Sequence, residues 1–407
     1  MDLSRIIWPA WLAAKPHYAT PSTITTEEEL RNAASANDSA VWLAGDITLT
    51  GQPLAVTGEN VYVGMQPADE PTIMPRIIAP SGADRVLAIE GAKRVEFAHI
   101  VIDANNRDNP KMIAANVNRT SHLTFTHVLF GDYGRIGARF VGGNEYITFD
   151  ECEADGDNAN IYHGIGISND GPNKFFVIYK SGLIRNGTRD GLEYGLDGHV
   201  DGLILADSYV SSNGRCIKLP SARNAWIYGN QFYDGEKNNL GAIWTYNVGD
   251  GVPQDIFIFG NDIYSDVAHL RYQHGAQVCW MNNRTYSQNG KLTDEKIVKG
   301  KGGGTVTRND DRIDAFLNGQ TEPPQPPPIE PPTGDNGDLP DAALDALADA
   351  VAARVLARID YSAIALQAAE LVEWPELPNM PDDLIGQAAE LAVQKIALSL
   401  INITGPK

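Results

Sequence analysis

Long hydrophobic runs are missing from this chain of 407 residues. No stretch reaches the roughly 18 uncharged apolar residues that a membrane-spanning helix needs, so membrane insertion is not expected. Residues 1–16 contain only a short apolar run, which Pro9 interrupts. This pattern is a poor match to a secretory signal peptide, and we expect a protein made in the cytoplasm without a secretion signal.

Cysteine and basic residues are also scarce. Cys152, Cys216 and Cys279 form no Cys-x-x-Cys pair and are odd in number, so neither a zinc site nor a full disulfide framework is predicted. The 32 lysines and arginines face 52 acidic residues, which gives a net charge of −20. Because proteins that bind nucleic acids usually carry a basic patch, nucleic acid is not an expected partner.

The histidines do not indicate a metal site. No pair among them has a ligand spacing on one predicted element. We therefore interpret four of them as solvated turn residues rather than ligands. These are His163, His199, His269 and His274.

What the chain does have is an internal repeat. One eight-residue pattern occurs eight times, at intervals of roughly 22 to 31 residues, which are typical of solenoid proteins. Positions one, three and eight are mostly apolar, with alternating partners between them, and this predicts a strand with one buried face. The copies span residues 95–102, 123–130, 147–154, 176–183, 203–210, 225–232, 256–263 and 278–285.

Position six of the repeat changes from apolar to polar along the chain. Its residues are Ile100, Val128, Cys152, Ser181, Ser208, Asn230, Asn261 and Asn283. Inward asparagines on successive coils can hydrogen-bond to one another and to the backbone of the turn. The last three copies therefore predict an asparagine ladder inside the stack.

A second strand-like segment follows each turn. Such segments occupy residues 164–168, 191–194, 215–219, 242–246 and 269–272. Two strands and their turns would make one coil of roughly 26 residues, with no helix between strands, which excludes alternating β-α-β units. The predicted fold class is all-β: a parallel β-helix over residues 21–319, right-handed because parallel crossovers have that chirality.

The start of this region adds a family resemblance. Residues 21–34, which include Thr25, Thr26 and three consecutive glutamates, precede the apolar run 41–49. They resemble the N-terminal capping helix and first coil of the pectate-lyase-like β-helix proteins. That group includes polysaccharide lyases and many bacteriophage tailspikes. The resemblance implies the fold and a helix that caps the stack, but no lyase motif matches, so it assigns no catalytic residue.

Composition divides the chain into four parts: an N-terminal segment or cap (1–20), the β-helix (21–319), a proline-rich linker (320–340) and an α-helical region (341–407). Seven prolines among residues 323–332 favour an extended spacer, although they could also bind a proline-recognising domain. Apolar residues from Leu344 to Ile359 repeat every three or four positions, as in an amphipathic helix. We expect this region to oligomerise or attach to a partner; the alternative is a monomeric helical hairpin. The segment from Arg312 to Leu317 is predicted to close the far end of the stack.

A binding surface is predicted on the second strands. If Leu192 and its equivalents face inward, alternation places Glu193, Lys218, Trp244 and Arg271 outward in one column. The columns on either side contain His269 and Tyr246. Aromatic rings beside charged groups suit a sugar chain. The alternative is the mixed surface that any exposed strand presents. We take these six residues as candidates for substrate binding.

Catalysis in this groove is a second possibility, with the catalytic residues unknown. Hydrolysis of glycosidic bonds commonly uses two carboxylates, for which the candidates are Asp190, Glu193, Asp197 and Asp201. A lyase would need a base, such as Lys218 or Arg271, and a group that neutralises an acid. Calcium held by the same carboxylates could serve, although no cofactor is otherwise expected. Equally, aspartate and glycine are ordinary components of β-helix turns.

Together these features predict a bacteriophage virion spike or fibre. It would be a homotrimer that binds host surface polysaccharide through the β-helix and joins a tail or capsid protein through its C-terminal helices. Its location would be the virion, after synthesis in the host cytoplasm. The alternatives are a polysaccharide-degrading enzyme, either lyase or hydrolase, and a purely structural spike.

Overall fold

The computed structural model describes residues 20–66, 73–105, 109–155, 163–186, 194–212, 215–234, 241–248 and 251–318. The chain divides into two units, Met1–Pro328 and Ile329–Lys407, and all described residues belong to the first. The predicted proline-rich linker and C-terminal helices lie outside the described residues, as does nearly all of the N-terminal segment. Those domain assignments remain predictions.

Three parallel sheets enclose the core, and each complete coil contributes one strand to each sheet. Sheet A contains β1 (Ser22–Ile24), β2 (Ser39–Leu43), β5 (Glu59–Gly64), β8 (Lys93–Ala98), β11 (Ser121–Thr126), β14 (Glu145–Asp150), β17 (Lys174–Tyr179), β20 (Asp201–Ala206), β23 (Arg223–Tyr228), β26 (Gln254–Phe259), β29 (Ala276–Met281) and β32 (Gly304–Thr307). Sheet B contains β3 (Ile47–Thr48), β6 (Arg76–Ile78), β9 (Val101–Asp103), β12 (Leu129–Gly131), β15 (Glu153–Asp155), β18 (Gly182–Asn186), β21 (Tyr209–Ser212), β24 (Gln231–Asp234), β27 (Asp262–Tyr264) and β30 (Arg284–Tyr286). Sheet C contains β4 (Leu54–Val56), β7 (Arg85–Glu90), β10 (Ile113–Asn118), β13 (Ile136–Val141), β16 (His163–Ile167), β19 (Tyr194–Gly198), β22 (Arg215–Pro220), β25 (Ile243–Tyr246), β28 (Leu270–Tyr272) and β31 (Ile297–Lys299).

The predicted all-β parallel β-helix is therefore confirmed, but the prediction of two strands per coil is wrong. Position five of every repeat copy has a positive φ, as at His99 (55°) and Lys180 (46°). This left-handed residue bends the chain, so that each copy supplies a strand to sheet A and then one to sheet B. Neighbours in the order of sheet B differ by three strands, which confirms a coil of three.

The core lies between the three sheets and is built of stacked apolar side chains. Phe97, Phe125 and Phe149 occupy equivalent positions on successive coils and are 1% exposed or less. Their ring centroids are 5.7 Å apart for the first pair and 5.1 Å for the second. Burying each such side chain stabilises the fold by about 1.5–3 kcal/mol, so the repeat itself supplies the driving force for coiling.

The predicted asparagine ladder is confirmed. Asn230 Nδ2 donates to Asn261 Oδ1 at 3.0 Å, and Asn261 Nδ2 donates to Asn283 Oδ1 at 2.9 Å. Each acceptor amide also receives the backbone N–H of the preceding copy. Ser181 and Ser208 continue the ladder, because their hydroxyls accept the backbone N–H of the copy before them. The turn backbone is thereby satisfied inside the stack.

Two helices accompany the sheets in the described part of the chain. Helix α1 (Glu27–Ser35) begins at Thr26, whose side chain forms a capping box with Glu29, and it buries Leu30 in the main core. Its predicted role as the cap of the stack remains a prediction. No helix among the described residues is long and apolar enough to span a membrane.

Helix α2 (Asp311–Leu317) corrects a prediction. Instead of closing the end of the stack, it packs on the outer face of sheet A, where Ile313 and Phe316 are fully buried. The ring centroid of Phe316 lies 4.8 Å from that of Trp226 and 5.3 Å from that of Tyr228. The apolar outer face of sheet A, which alternation alone would leave in water, accounts for this position.

Candidate functional site

Half-buried side chains form one row on the outer face of sheet C. Strand pairing places Lys218 beside Trp244 and Trp244 beside Arg271, as the sequence predicted. Alternate residues of the same strands, Ile217 and Ile243 among them, are fully buried in the core. The part of this row called here the sheet C column contains Arg139, Gly166, Asp197, Lys218, Trp244 and Arg271.

The predicted place of Glu193 in this column is wrong. Asp197 is the residue that pairs with Lys218, because the fully buried Leu196 pairs with Ile217. Gly-Leu-Glu at 191–193 and Gly-Leu-Asp at 195–197 fit the same pattern, and the fold uses the second. Glu193 and Asp190 themselves lie outside the described residues.

The prediction that His269 faces outward is also wrong. Its side chain is fully buried, and the equivalent Cys216 and Ala242 on preceding coils belong to the main core. In each of these coils the next residue, such as Ile217 after Cys216, is also fully buried, so simple alternation fails here. His269 Nδ1 accepts the backbone N–H of Lys296 at 2.9 Å, and Nε2 lies 3.4 Å from the carbonyl oxygen of Tyr286. Desolvation lowers the pKa of this imidazole.

Trp244 stands in a stack of planar groups. Its ring centroid is 4.1 Å from that of Tyr246 at an interplanar angle of 17°, and the guanidinium carbon of the buried Arg215 lies 4.6 Å from the centroid of the Trp244 ring. Tyr246 and Arg215 thus both pack against the Trp244 ring, which is half-buried. The Tyr246 ring is also half-buried, and its centroid lies 5.8 Å from Lys218 Nζ.

A cleft of about 200 Å³ opens in the same sheet, next to this stack. Asp197 forms one wall: its Oδ2 lies 2.9 Å from Lys218 Nζ and 3.7 Å from His163 Nε2. The floor is Gly166, which stands between Arg139 and Asp197 in the sheet C column and has no side chain. Any other residue at this position would make the row of side chains continuous.

Arg139, His163, Gly166 and His199 line the cleft, but the sequence had not marked them as site residues. His163 and His199 were interpreted as solvated turn histidines, yet His163 begins β16 and its side chain is only 17% exposed. A signal for Gly166 did exist, because an isolated glycine inside a strand often marks a close approach by a ligand or another chain.

Of the four carboxylates proposed for hydrolysis, the structure describes Asp197 and Asp201, and these two do not come together. Asp201 begins a strand of sheet A, where it accepts a hydrogen bond from Asn224 Nδ2 at 2.7 Å. Asp197 lies in sheet C and is the one carboxylate among the described residues that line the cleft. The predicted calcium site has no support in the described ranges, which contain no cluster of three or more potential metal ligands. Lys218 already neutralises Asp197.

Comparisons with known proteins add little beyond a distant likeness. No protein-family model and no curated protein match the chain. Among solved structures, two catalytic domains of GH87 α-1,3-glucanase, one in complex with tetrasaccharides and one with nigerose, are 11% and 10% identical to it. Their TM-scores are 0.33 and 0.34, and each match covers 72% of this chain. The match spans 61% and 62% of those domains, which is less than two thirds of their length.

Proposed function

We propose that this protein binds a polysaccharide along the sheet C column. The observation that carries the proposal is the half-buried Tyr246 ring, set beside the charged groups of Lys218 and Asp197 on the same sheet. Aromatic faces take the apolar faces of sugar rings, and charged groups take their hydroxyls. A β-helix can repeat such contacts along its length.

The length of the column fits an extended ligand. Five coil steps separate Arg139 from Arg271. At about 4.8 Å per step, the column is about 24 Å long, which accommodates several sugar rings in a row. We therefore propose binding to an internal stretch of the polysaccharide rather than to a chain end.

The biological setting that we propose is a bacteriophage virion spike or fibre that binds host surface polysaccharide as a homotrimer. Supporting this are the β-helix body and the composition of residues 320–407, where a proline-rich segment precedes an amphipathic pattern. The C-terminal region would mediate trimerisation or attachment to a tail or capsid protein. Light scattering on the full chain tests the trimer: a mass three times that of one chain is expected, and a monomer would refute it.

Polysaccharide cleavage is the second candidate. It is favoured by the proximity of Asp197 to His163 and Lys218, because a carboxylate, an imidazole and an ammonium in one cleft provide groups that can move protons. Binding is the stronger proposal, since the second carboxylate of a hydrolase is not among the described residues that line the cleft.

A panel of neutral and anionic polysaccharides tests both candidates. Binding is measured by affinity electrophoresis, and cleavage by the ultraviolet absorbance of unsaturated products and by new reducing ends.

We expect Tyr246→Ala to weaken binding about three- to tenfold, since one stacking contact contributes about 0.5–1.5 kcal/mol. Tyr209→Ala is the matched control, because Tyr209 is 39% exposed but lies on sheet B. Equal losses in both variants would refute the groove on sheet C.

A further inference from the structure

The sheet C column is interrupted at one coil. Arg139, Asp197 and Lys218 all have long or polar side chains, whereas Gly166 between them has none. Nothing in the backbone demands glycine there, because Gly166 does not have a positive φ. A Cβ at this position would lie 3.4 Å from His163 Cδ2 and 3.7 Å from the Ile136 side chain, which are ordinary contacts. The glycine therefore keeps the cleft open rather than relieving strain.

The basic side chains of Lys218 and Arg139 differ in whether they have a close anionic partner. The ammonium of Lys218 neutralises the carboxylate of Asp197 at 2.9 Å. Arg139 has neither a hydrogen bond nor an ion pair with any residue of the described ranges. Desolvation lowers the pKa of Arg139, and so does repulsion from Arg135 and Arg85, while Asp170 acts in the opposite direction. A cation without a close anionic partner thus lines the cleft.

We propose that Gly166 opens a specificity pocket that takes one oxyanion substituent of the bound saccharide, with Arg139 as its partner. The guanidinium presents paired N–H donors that fit carboxylate or sulfate oxygens. At about 200 Å³ the cleft is smaller than the about 300–1,000 Å³ of pockets that enclose whole drug-sized ligands, so it suits a substituent or a single sugar. This inference rests on the proposed glycan function and specifies its ligand.

The overall charge limits the number of such contacts. A net charge of −20 on the full chain disfavours a long, densely charged polyanion as the ligand. Arg139 gives the cleft a local positive charge on this acidic protein. We therefore infer a saccharide with sparse anionic substituents, one of which occupies the cleft, rather than a densely charged chain.

The test compares two probes, methyl glucuronide and methyl glucoside, with binding to the full-length protein followed by saturation-transfer NMR and calorimetry. Wild type is expected to bind the glucuronide more tightly. Arg139→Gln should reduce binding of the glucuronide about ten- to a hundredfold and leave the glucoside unchanged, as expected for loss of one charge-assisted contact. A sulfated methyl glucoside, as a third probe, distinguishes carboxylate from sulfate.

Gly166→Val, which fills the cleft, should also abolish the preference for the anionic probe. Gly198→Ala is its matched control. Gly198 lies in the adjacent coil beside Ile167, has no positive φ, and a Cβ there meets nothing closer than 3.6 Å. Thermal unfolding of each variant verifies that it folds.

Equal binding of both probes by wild type, or a preference that survives Arg139→Gln, would overturn the pocket alone. Absence of binding to either probe and to every polysaccharide of the panel would overturn the pocket and the proposed function together.

Discussion

The carboxylate of Asp197 and the ammonium of Lys218 lie 2.9 Å apart on adjacent strands of sheet C, each with a side chain only 16–17% exposed. Their sequence separation is 21 residues, close to one coil. The pair therefore joins two coils at the edge of the cleft. It holds Asp197, which forms one wall of the cleft, in place beside the proposed binding surface.

Breaking this pair should destabilise the protein. Lys218→Met leaves Asp197 with a poorly solvated charge, and we expect the free energy of unfolding to fall by about 1–3 kcal/mol, less than for a fully buried pair. Urea denaturation measures the change. The double variant Asp197→Asn with Lys218→Met should recover part of the loss. If the loss in the double variant equals the sum of the losses in Lys218→Met and Asp197→Asn, the two side chains do not interact.

The asparagine ladder makes a second prediction. Asn261 donates to Asn283 Oδ1 and to two backbone carbonyls, and it accepts two hydrogen bonds from Asn230. Asn261→Ala leaves several buried polar groups without partners, so a loss of about 2–4 kcal/mol in the free energy of unfolding is expected. Gln231→Ala, at an exposed position of sheet B, is the control and should change stability by less than about 0.5 kcal/mol. A similar effect of both substitutions would contradict the role of the ladder.

We expect low pH to destabilise the C-terminal coils, because it favours protonation of His269. His269 Nδ1 accepts a hydrogen bond from the Lys296 N–H, so the neutral ring carries its proton on Nε2. A second proton would bind to Nδ1 and break the hydrogen bond with Lys296. Desolvation lowers the folded-state pKa of His269 and outweighs the opposing effect of the hydrogen bond to the Tyr286 backbone. Lys296 also lowers this pKa, while Glu295 and the Ser265 backbone raise it. The unfolded state therefore binds more protons below pH about 6.5, and stability decreases as pH falls through that range.

The slope contributed by this group is at most about 1.4 kcal/mol per pH unit. Denaturation curves between pH 7 and pH 5 measure it, with His269→Gln as the comparison. The variant should be less stable at neutral pH but should show a flatter dependence on pH. An unchanged dependence would show that another group is responsible.

The sequence predicted the fold well because stacking imposes the same demand on every coil. The apolar residues at positions one and three, and the asparagines at position six, identified the stack. The predicted number of strands per coil was wrong. The spacing of five between apolar positions three and eight is odd, which is incompatible with one straight strand, and the bend at residues such as His99 and Lys180 explains it.

The candidate site could be predicted only in part. Lys218, Trp244 and Arg271 follow from local alternation and share one column. Asp197 did not, because two Gly-Leu-acid triplets compete for one strand and only contacts between coils decide the register. The burial of His269 next to the buried Leu270 breaks the alternation, and the local pattern does not encode it.

The most direct test of polysaccharide binding on sheet C is a crystal structure of the protein with an oligosaccharide from a polysaccharide that it binds. We expect a sugar chain along sheet C, with one ring against Tyr246 and an anionic substituent over Gly166 beside Arg139. An oligosaccharide bound on sheet B, or on any surface that does not include the sheet C column, would contradict this expectation.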